Sequence, residues 1–491
     1  MNRPLKKVAV ACLALFGLLL LNVNYVQVVK AERYREDPRN SRVLLRTYER
    51  ERGVIAVVEP GGGRTAIAES TRTDGPLTYL RTYPGGPAYA HVTGYYSFVF
   101  GPTGIERSED DVLSGEDDRL AFTRLSDVVT GREVEGGSIV LTLDPAAQAA
   151  AHRALTSRGV NGSVVAIDPR TGAVLAMAST PSFDPAKLSS FDARAMRTYR
   201  EQLNGASEDP LLNRAIAQTY PPGSTFKVVT AAAALESGEV TPETQIPSPP
   251  QLDLPQTSRN LTNFGDSTCT GATSTLADAL RISCNTAFGA LGLQLGQDVL
   301  REQAERFGFN DGGFTAPNKV ATSVFPTDDI APPSLAQSAI GQFEVRTTPL
   351  QMAMVAGGVA NRGEVMRPYL VQEVQAPDQS LLDRADPEVY RRAVSEDVAA
   401  ELSRMMQLVV SDGSGTRAQI DGVAVAGKTG TAQGAEGADP DVWFIGFAPA
   451  EDPQIAIAVV VEDGGTVGAG ATGGAVSAPI AREVLQAVLR R

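Results

Sequence analysis

A serine and a lysine one helical turn apart are the first candidates for catalysis. Ser224 and Lys227 lie in the run PGSTFKVV at 222–229, where Gly-Ser is predicted to begin a helix that places both side chains on one face. A serine hydroxyl needs a neighbouring base, and a lysine serves as that base when burial lowers its pKa. No other of the seven lysines follows a serine by three residues. Taken alone, the pair also fits a helix N-cap serine followed by a surface lysine.

A lysine-threonine-glycine run is the second candidate. It reads Lys428-Thr429-Gly430-Thr431 and lies in a segment predicted to form a strand. The run supplies a cation, a hydroxyl and a backbone without an obstructing side chain. Together these suit pairing with an extended peptide that carries a carboxylate.

The same run completes a match to the Walker A motif, GVAVAGKT at 422–429, which is typical of nucleotide-binding loops. That motif needs a strand before it and a helix after it. Here the predicted strand lies inside the motif, at Val423–Ala426, and glycines follow at 430, 434 and 437, where the helix should begin. The pattern therefore disfavours a phosphate-binding loop and an NTPase.

A Ser-x-Asn pattern is the third candidate. Ser283-Cys284-Asn285 lies between two predicted helices and offers a hydroxyl and an amide, whereas the same pattern at 258–260 lies in a polar stretch with Pro and Gln. We favour Ser283 and Asn285, because helix ends hold side chains better than an irregular segment does.

The three motifs in this order are the signature set of penicillin-binding proteins and serine β-lactamases. Each motif is short, and the ordered set is the specific signal. Three further parts of the chain resemble class B penicillin-binding proteins of the small actinobacterial type. They are YAHVTGY at 89–95 with GIE at 104–106, LNRA at 212–215 with YPPG at 220–223, and WFIGFAP at 443–449. The resemblance covers most of the chain.

The resemblance implies a serine-type D-Ala-D-Ala transpeptidase that cross-links peptidoglycan. Ser224 would attack the penultimate D-Ala carbonyl of a stem peptide, Lys227 would take its proton, and Ser283 would relay a proton to the leaving amine. β-Lactams, as mimics of D-Ala-D-Ala, should acylate Ser224 and leave slowly.

Substrate binding is implied for residues of the second and third motifs. Asn285 would orient the donor peptide, and the strand would hold its terminal carboxylate. The residues concerned are Asn285, Lys428, Thr429, Gly430 and Thr431. The backbone N–H groups of Ser224 and Thr431 would meet the oxyanion. Side chains alone supply these roles, so no metal or cofactor is implied.

Other functions stay open at this stage. A serine β-lactamase shares the motifs but deacylates fast, and no Glu-x-x-Leu-Asn follows Ser224. A non-enzymatic β-lactam sensor or wall-binding scaffold would be favoured by the loss of a motif residue, and none is lost. A Ser-His-Asp hydrolase is disfavoured, because both histidines, His91 and His152, precede Ser224 and are predicted to be structural.

The elements that must position these residues follow a recognisable order. Strands are predicted at Ser163–Asp168, Ala173–Ala178, Val423–Ala432, Val442–Ala448 and Ile455–Glu462, with helices including Ser224–Leu235, Ala287–Leu295, Thr347–Val359 and Ser395–Val409, and a closing helix at Ala478–Leu489. Strands, then helices, then strands closed by a helix indicate an α+β fold with an antiparallel sheet flanked by helices. The family resemblance adds a smaller, β-rich N-terminal pedestal.

The N-terminus combines a basic flank with an apolar run. Arg3, Lys6 and Lys7 precede about 22 mostly apolar residues, close to the ~20 that span a bilayer. This predicts a single transmembrane helix with the N-terminus inside and the catalytic part outside the cytoplasm. The alternative is a cleaved signal peptide, with a weak cleavage site at 29–31.

These patterns divide the chain into a cytoplasmic tail at 1–7, an anchor at 8–29, a non-catalytic pedestal or dimerisation-like module at 30–137 and a transpeptidase domain at 138–491. The pedestal is too short to hold a glycosyltransferase. A membrane glycan polymerase of the shape, elongation and division type is therefore the expected partner.

Composition excludes other classes. A formal charge of −13 and a pI near 4.9 argue against nucleic acid as a partner, which needs a basic face. Two histidines and three cysteines are too few for a His- or Cys-rich metal site.

Two cysteines stand near the active-site motifs. Cys269 and Cys284 lie 15 residues apart on the oxidising side of the membrane, where a disulfide closing such a loop contributes ~3 kcal/mol. The alternative is two free thiols.

Overall fold

The computed structural model describes residues 3–30, 48–75, 77–121, 135–433 and 437–490. Its α-helices are α1 Arg3–Asn24, α2 Ala90–Thr93, α3 Gly104–Ser108, α4 Asp110–Leu113, α5 Pro145–Thr156, α6 Ala193–Asn204, α7 Lys227–Glu236, α8 Leu276–Arg281, α9 Asn285–Leu295, α10 Gln297–Arg306, α11 Pro332–Ser338, α12 Pro349–Ala360, α13 Glu396–Asp412 and α14 Ser477–Leu489.

The strands are β1 Ile55–Val58, β2 Arg64–Arg72, β3 Tyr79–Thr82, β4 Tyr96–Ser97, β5 Gly101–Pro102, β6 Ser138–Leu141, β7 Gly162–Ile167, β8 Val174–Thr180, β9 Gln245–Pro247, β10 Gln251–Asp253, β11 Asn260–Thr262, β12 Thr273–Thr275, β13 Glu364–Met366, β14 Val371–Gln375, β15 Leu381–Arg384, β16 Val389–Arg392, β17 Ala426–Ala432, β18 Asp441–Ala448 and β19 Ile455–Val461.

A five-stranded antiparallel sheet in the order β17-β18-β19-β7-β8 forms the centre of the larger part of the molecule. The apolar sequence of β19, IAIAVVV, is buried at every position. Alternate residues face opposite sides, because side chains alternate along a strand. One face packs in the cluster that includes α7 and α12, and the other packs against α5 and α14. The predicted antiparallel sheet flanked by helices is confirmed.

Two predicted boundaries differ near the motifs. A tight 3-10 turn at Gly223–Phe226 carries Ser224, and the α-helix begins only at Lys227. Gly223 has φ +52°, a conformation outside the right-handed helix. Strand β17 begins at Ala426 rather than Val423, because Ile420 and Val423 close a turn around Gly422.

A second sheet connects the β-rich N-terminal module to the rest of the chain. Its strand order is β15-β14-β6-β1-β2-β3. Strand β6 pairs in parallel with β1 and antiparallel with β14. Strands from distant parts of the sequence therefore share one sheet at this junction.

A buried ion cluster stabilises the N-terminal module. Glu106 is fully buried and accepts hydrogen bonds from Arg52 Nε and Arg81 Nε, each at 2.6 Å, and from Tyr83 Oη at 3.1 Å. Burial opposes the carboxylate charge, but the two guanidinium groups more than offset it and hold the pKa of Glu106 below its ordinary value. The paired charges hold α3 against the first strands of the module.

His91 lies in a structural position. His91 is buried, its Nε2 lies 2.9 Å from the carbonyl oxygen of Pro210, and burial lowers its pKa to about 4. The His91 carbonyl in turn accepts from Asn213 Nδ2 at 3.2 Å. His152 lies on α5. The contacts of His91 join the N-terminal module to the segment that leads to Ser224.

The N-terminal helix has the properties of a membrane span. Leu5–Val29 has a mean hydropathy of 2.1 over its most apolar part, none of which is buried. Among the described residues it is the one helix long and apolar enough to cross a bilayer, which agrees with single-pass anchoring.

Candidate active site

A cleft of about 870 Å³ brings the predicted motifs together. Of the predicted site residues, the cleft is lined by Ser224, Cys269, Ser283, Cys284, Asn285 and Thr431. Other lining residues come from the loop after β11, the end of α11 and the segment that follows it, among them Asn263, Phe264, Gln337, Ile340, Gln342 and Phe343. Lys227 and Lys428 are fully buried next to this cleft.

The turn that carries Ser224 is held from two sides. The Gly223 N–H donates to Gly341 O at 2.9 Å, and Trp443 Nε1 donates to Pro221 O at 3.1 Å. A side chain at Gly341 would place Cβ 2.2 Å from Gly223 O, so only glycine allows this approach. These contacts leave Ser224 partly exposed at the cleft.

A partly buried acid anchors the segment before that turn. Glu462 Oε1 accepts from Tyr220 Oη at 2.7 Å and from Arg214 Nε at 3.0 Å. The Tyr220 ring packs edge-on against Trp443. Sequence reasoning missed Glu462, because 242 residues separate it from Tyr220.

Lys227 contacts the Ser-x-Asn motif directly. Its Nζ donates to Asn285 Oδ1 at 2.6 Å and to Ser283 O at 2.7 Å, with Ser283 Oγ farther away at 3.4 Å. Within the described ranges, no hydrogen bond joins Lys227 Nζ to Ser224 Oγ. Such catalytic bonds are often long in an unliganded enzyme and shorten in the complex.

Ser283 lies between the two lysines. Its Oγ accepts from Lys428 Nζ at 2.8 Å. The residue has φ +64°, a left-handed conformation that non-glycine residues adopt at a cost and that clusters at functional sites. The turn between α8 and α9 therefore places this hydroxyl close to both lysine Nζ atoms. Of the alternative pattern at 258–260, Asn260 also lines the cleft, but its side chain is exposed and its Nδ2 donates to Gln251 Oε1 rather than to a lysine of the site.

Burial changes the acidity of both lysines. Loss of hydration, together with the like charge of Lys428, lowers the pKa of Lys227 well below its ordinary value. Burial lowers the pKa of Lys428 to about 7. The acceptors around Lys227 are neutral groups, so they do not compensate a buried charge as a carboxylate would. A neutral amine near physiological pH is therefore favoured at this site.

Strand β17 presents its four motif residues in different ways. The strand lies at the edge of the sheet, so part of its backbone stays available for pairing. Thr431 lines the cleft, whereas Thr429 is only 6% exposed and its Oγ1 lies 2.6 Å from Ser414 Oγ. Sequence reasoning did not select Ser414.

Gly430 allows β17 to approach the serine turn. A Cβ at this position would lie 2.9 Å from Pro222 O and 3.0 Å from both Thr225 Cγ2 and Trp443 Cβ. The backbones of the two motifs therefore pack against each other with no space for a side chain.

Gly430→Ala is expected to lower the second-order rate constant of acylation by benzylpenicillin roughly 100-fold. The added methyl group pushes β17 away from the turn that carries Ser224, and a displacement of about 1 Å at a catalytic site lowers the rate by about this factor. Stopped-flow acylation kinetics with the full chain measure it. Gly470→Ala is the control, because a Cβ there meets nothing within 4 Å. Acylation of Gly430→Ala at the wild-type rate would contradict the packing argument.

The two cysteines form a disulfide at the wall of the cleft, with Cα atoms 5.8 Å apart. The sequence left open a disulfide or two free thiols, and the structure has the disulfide. Cys284 also precedes α9, and its Sγ accepts from the Ala287 N–H at 3.4 Å. The bond ties the loop after β11 to the start of the helix that carries Asn285.

Asn263 is a further cleft residue without a sequence signal. Its Oδ1 accepts from the N–H groups of Asn285 at 2.7 Å and Thr286 at 3.2 Å. These are the first residues of α9, whose unpaired N–H groups need acceptors. Nothing in the described ranges groups three or more His, Cys, Asp or Glu side chains for a metal ion.

The cleft combines a candidate nucleophile, two buried lysines and a Ser-x-Asn turn, and it lies on an antiparallel sheet covered by helices. This combination defines the serine penicillin-recognising transpeptidases. Residues 162–486 match the family model described as "Penicillin binding protein transpeptidase domain", and residues 52–139 match "Penicillin binding protein A dimerisation domain". The chain belongs to the penicillin-binding protein family, as its motifs predicted.

Several of the similar proteins are named PbpA or penicillin-binding protein A. The chain is 46% identical over 500 residues to the peptidoglycan D,D-transpeptidase PbpA of Mycolicibacterium smegmatis, covering all of this chain and 99% of the relative. It is similar in structure to penicillin-binding protein A of Mycobacterium tuberculosis, solved as a ceftriaxone acyl-enzyme complex. The TM-score is 0.86 and the identity 41%, and the match covers 91% of this chain and 100% of the other. For the D,D-transpeptidase domain of a peptidoglycan glycosyltransferase from Eggerthella lenta, the TM-score is 0.77 and the identity 35%, and the match covers 90% of this chain and 98% of the other. The predicted fold, with a transpeptidase domain on a smaller pedestal, is confirmed.

Proposed function

We propose that this protein is a peptidoglycan D,D-transpeptidase that works through an acyl-enzyme on Ser224, and that β-lactams acylate the same serine. The observation that carries the proposal is the convergence of Ser224, Ser283 and Thr431 on one cleft, next to two fully buried lysines. Identity to named D,D-transpeptidases over the whole chain supports it.

In the first step, Ser224 Oγ attacks the carbonyl carbon of the penultimate D-Ala. Lys227 Nζ takes the hydroxyl proton. A neutral amine has two N–H donors and one lone pair, and the two close acceptors, Asn285 Oδ1 and Ser283 O, account for the donors. The lone pair is then left to act as the base.

In the second step, the bond between the carbonyl carbon and the nitrogen of the terminal D-Ala breaks. That nitrogen must receive a proton to leave as an amine. Ser283 relays it: its hydroxyl gives its hydrogen to the leaving nitrogen, and Lys227, whose Nζ lies 3.4 Å from Ser283 Oγ, returns to that oxygen the proton taken from Ser224. Lys428 donates to the same oxygen at 2.8 Å and stabilises its negative charge during the transfer. The amine of a neighbouring stem peptide then attacks the ester carbonyl carbon and loses a proton to Lys227. The bond from that carbon to Ser224 Oγ breaks, and Lys227 returns the proton to Ser224.

The donor peptide lies along β17. Asn285 orients its backbone, and its terminal carboxylate is bound by the strand residues Lys428, Thr429, Gly430 and Thr431. The edge position of β17 supports this pairing, since an extended peptide adds to an exposed strand edge. The oxyanion accepts hydrogen bonds from the N–H groups of Ser224 and Thr431, a contribution of roughly 3 to 4 kcal/mol per donor.

The remaining parts of the chain are assigned by the same proposal. Residues 1–7 are cytoplasmic, 8–29 anchor the chain in the plasma membrane, 30–137 form the pedestal, and 138–491 form the extracytoplasmic transpeptidase domain. A membrane glycan polymerase of the shape, elongation and division type supplies the glycan strands. The basic flank before the apolar helix supports this orientation.

A donor and acceptor assay tests the proposal. The full chain in detergent is incubated with a stem pentapeptide ending in D-Ala-D-Ala and an excess of glycine as amine acceptor. We expect release of one D-Ala per turnover and a product in which glycine replaces it, detected by mass spectrometry.

A parallel incubation with benzylpenicillin separates the alternatives. Rapid turnover of benzylpenicillin with no transfer to glycine would identify a β-lactamase. Stable penicillin binding with no D-Ala release would identify a sensor or wall-binding scaffold. Either result overturns the proposed function.

A further inference from the structure

Phe343, in the segment after α11, is a bulky residue in a left-handed backbone conformation. Its φ is +59°, a region that residues with large side chains rarely adopt. Such strain persists only where the surrounding structure holds it, and it clusters at functional sites. The chain therefore accepts a cost to place this side chain where it lies.

Hydrogen bonds connect Phe343 to the turn that carries Ser224. Arg346 Nη1 donates to Phe343 O at 2.8 Å and fixes the backbone there. Two residues before Phe343, Gly341 O accepts from the Gly223 N–H at 2.9 Å, and Gly223 directly precedes Ser224. The strained residue and the nucleophile are therefore held by one connected segment of backbone.

The side chain of Phe343 belongs to the cleft and not to the core. It is partly exposed and lines the same cleft as Ser224. Among the described residues, Ile340 and Val345 on either side of it pack in the apolar core, whereas Phe343 is part of neither core cluster. The left-handed conformation thus turns an aromatic ring toward the space where the acyl group is carried.

The acyl ester on Ser224 can be attacked by an amine or by water. An amine nitrogen forms an amide bond to the ester carbonyl carbon, and a water oxygen forms a carboxylic acid. In both reactions Lys227 takes a proton from the nucleophile, the bond to Ser224 Oγ breaks, and Lys227 returns the proton to that oxygen. No Asp or Glu lines the described part of the cleft, so the same base serves both nucleophiles. The choice between them therefore depends on how well water reaches the ester.

From this geometry we propose that Phe343 is a specificity-determining residue that keeps water from the acyl ester, so that the acyl group passes to an amine. An apolar ring offers water no hydrogen-bond partner, which makes a position beside it unfavourable for an attacking water molecule. An acceptor peptide covers the same ring with its aliphatic parts, which removes apolar surface from water. The inference rests on the proposed transpeptidase function and adds a residue outside the three motifs.

The test measures how the acyl group is divided between glycine and water. The full chain is incubated with the stem pentapeptide and excess glycine, and mass spectrometry gives the ratio of the glycine product to the hydrolysed tetrapeptide. Phe343→Gly removes the ring and suits the left-handed backbone. We expect it to raise hydrolysis and so to lower the ratio roughly 10- to 100-fold, the factor that loss of one large apolar side chain produces.

Two further variants separate the ring from the backbone. Phe343→Asn also tolerates the left-handed conformation and should lower the ratio as Phe343→Gly does. Phe343→Tyr keeps the ring and should retain most of the wild-type ratio. The adduct with benzylpenicillin gives a second readout: its hydrolysis should be faster in Phe343→Gly, while the acylation rate constant should change little, since Ser224 and Lys227 keep their contacts.

Gln379→Gly is the matched control, an exposed residue with φ +67° that does not line the cleft. It places glycine at another left-handed position and should leave the ratio unchanged. An unchanged ratio in Phe343→Gly, whether or not the total rate falls, overturns the inference, while transfer to glycine by the wild type keeps the proposed function. Absence of transfer to glycine in the wild type overturns both.

Discussion

Ser224→Ala is expected to abolish covalent labelling by a fluorescent penicillin and to lower acylation by roughly 10⁴-fold or more, because alanine has no hydroxyl to form the ester. The label in the wild-type chain should map to the peptide that contains Ser224. Gel fluorescence and mass spectrometry of the digested adduct measure both expectations.

The fold of this variant should be retained. Ser224 is partly exposed, and the hydrogen bonds that hold its turn come from Gly223 and Pro221 backbone groups. Thermal unfolding should therefore change little. Ser237→Ala is the matched control, since this serine caps the far end of the same helix and bonds to Ala234 O. Labelling that persists in Ser224→Ala, or that maps to another residue, would refute the assigned nucleophile.

Lys227→Arg is expected to lower the acylation rate constant by roughly 10³-fold while keeping a positive charge at the site. Arginine does not give up its proton, so it cannot act as a base. A charge-only role for Lys227 would instead leave much of the activity. Stopped-flow acylation across pH measures the difference, and Lys187→Arg, at a lysine that lies over the Tyr199 ring, is the control.

The pH profile gives a second readout for this lysine. Neutral Lys227 is the base, so the acylation rate constant should rise with pH as Lys227 loses its proton. Lys428 binds the carboxylate while charged, and burial sets its pKa to about 7, so the rate constant should fall as pH rises through that value. The wild-type profile is therefore expected to be bell-shaped, and its apparent pKa values belong to the coupled pair.

The variant should lose the rising limb of the profile and keep the falling limb. This outcome separates loss of the base from a general disturbance of the site, which would lower the whole curve without changing its shape. An unchanged rising limb in Lys227→Arg would assign the base to another group.

The central sheet could be predicted because its strands are buried on both faces. Burial of both faces requires nearly continuous apolar runs, such as IAIAVVV in β19, and such runs are visible without a structure. The predicted starts at Ser224 and Val423 were wrong because Ser224 lies in a 3-10 turn that follows a left-handed glycine at 223, and Val423 lies in a turn around Gly422. Neither feature changes the hydrophobic pattern from which the elements were predicted.

By itself, the sequence determined the three motifs, their order and the two lysines that stand out against a background of arginine. Spacing such as that of Ser224 and Lys227 depends on local backbone geometry, so it can be read along the chain. Only the tertiary structure decided which other groups complete the site. Asn263 and Ser414 reach the cleft from separate loops, and Glu462 holds the segment before Ser224. Their positions depend on how the whole core packs. A single polar side chain in a loop carries no periodic or motif signal, so these groups could not be found before the packing was known.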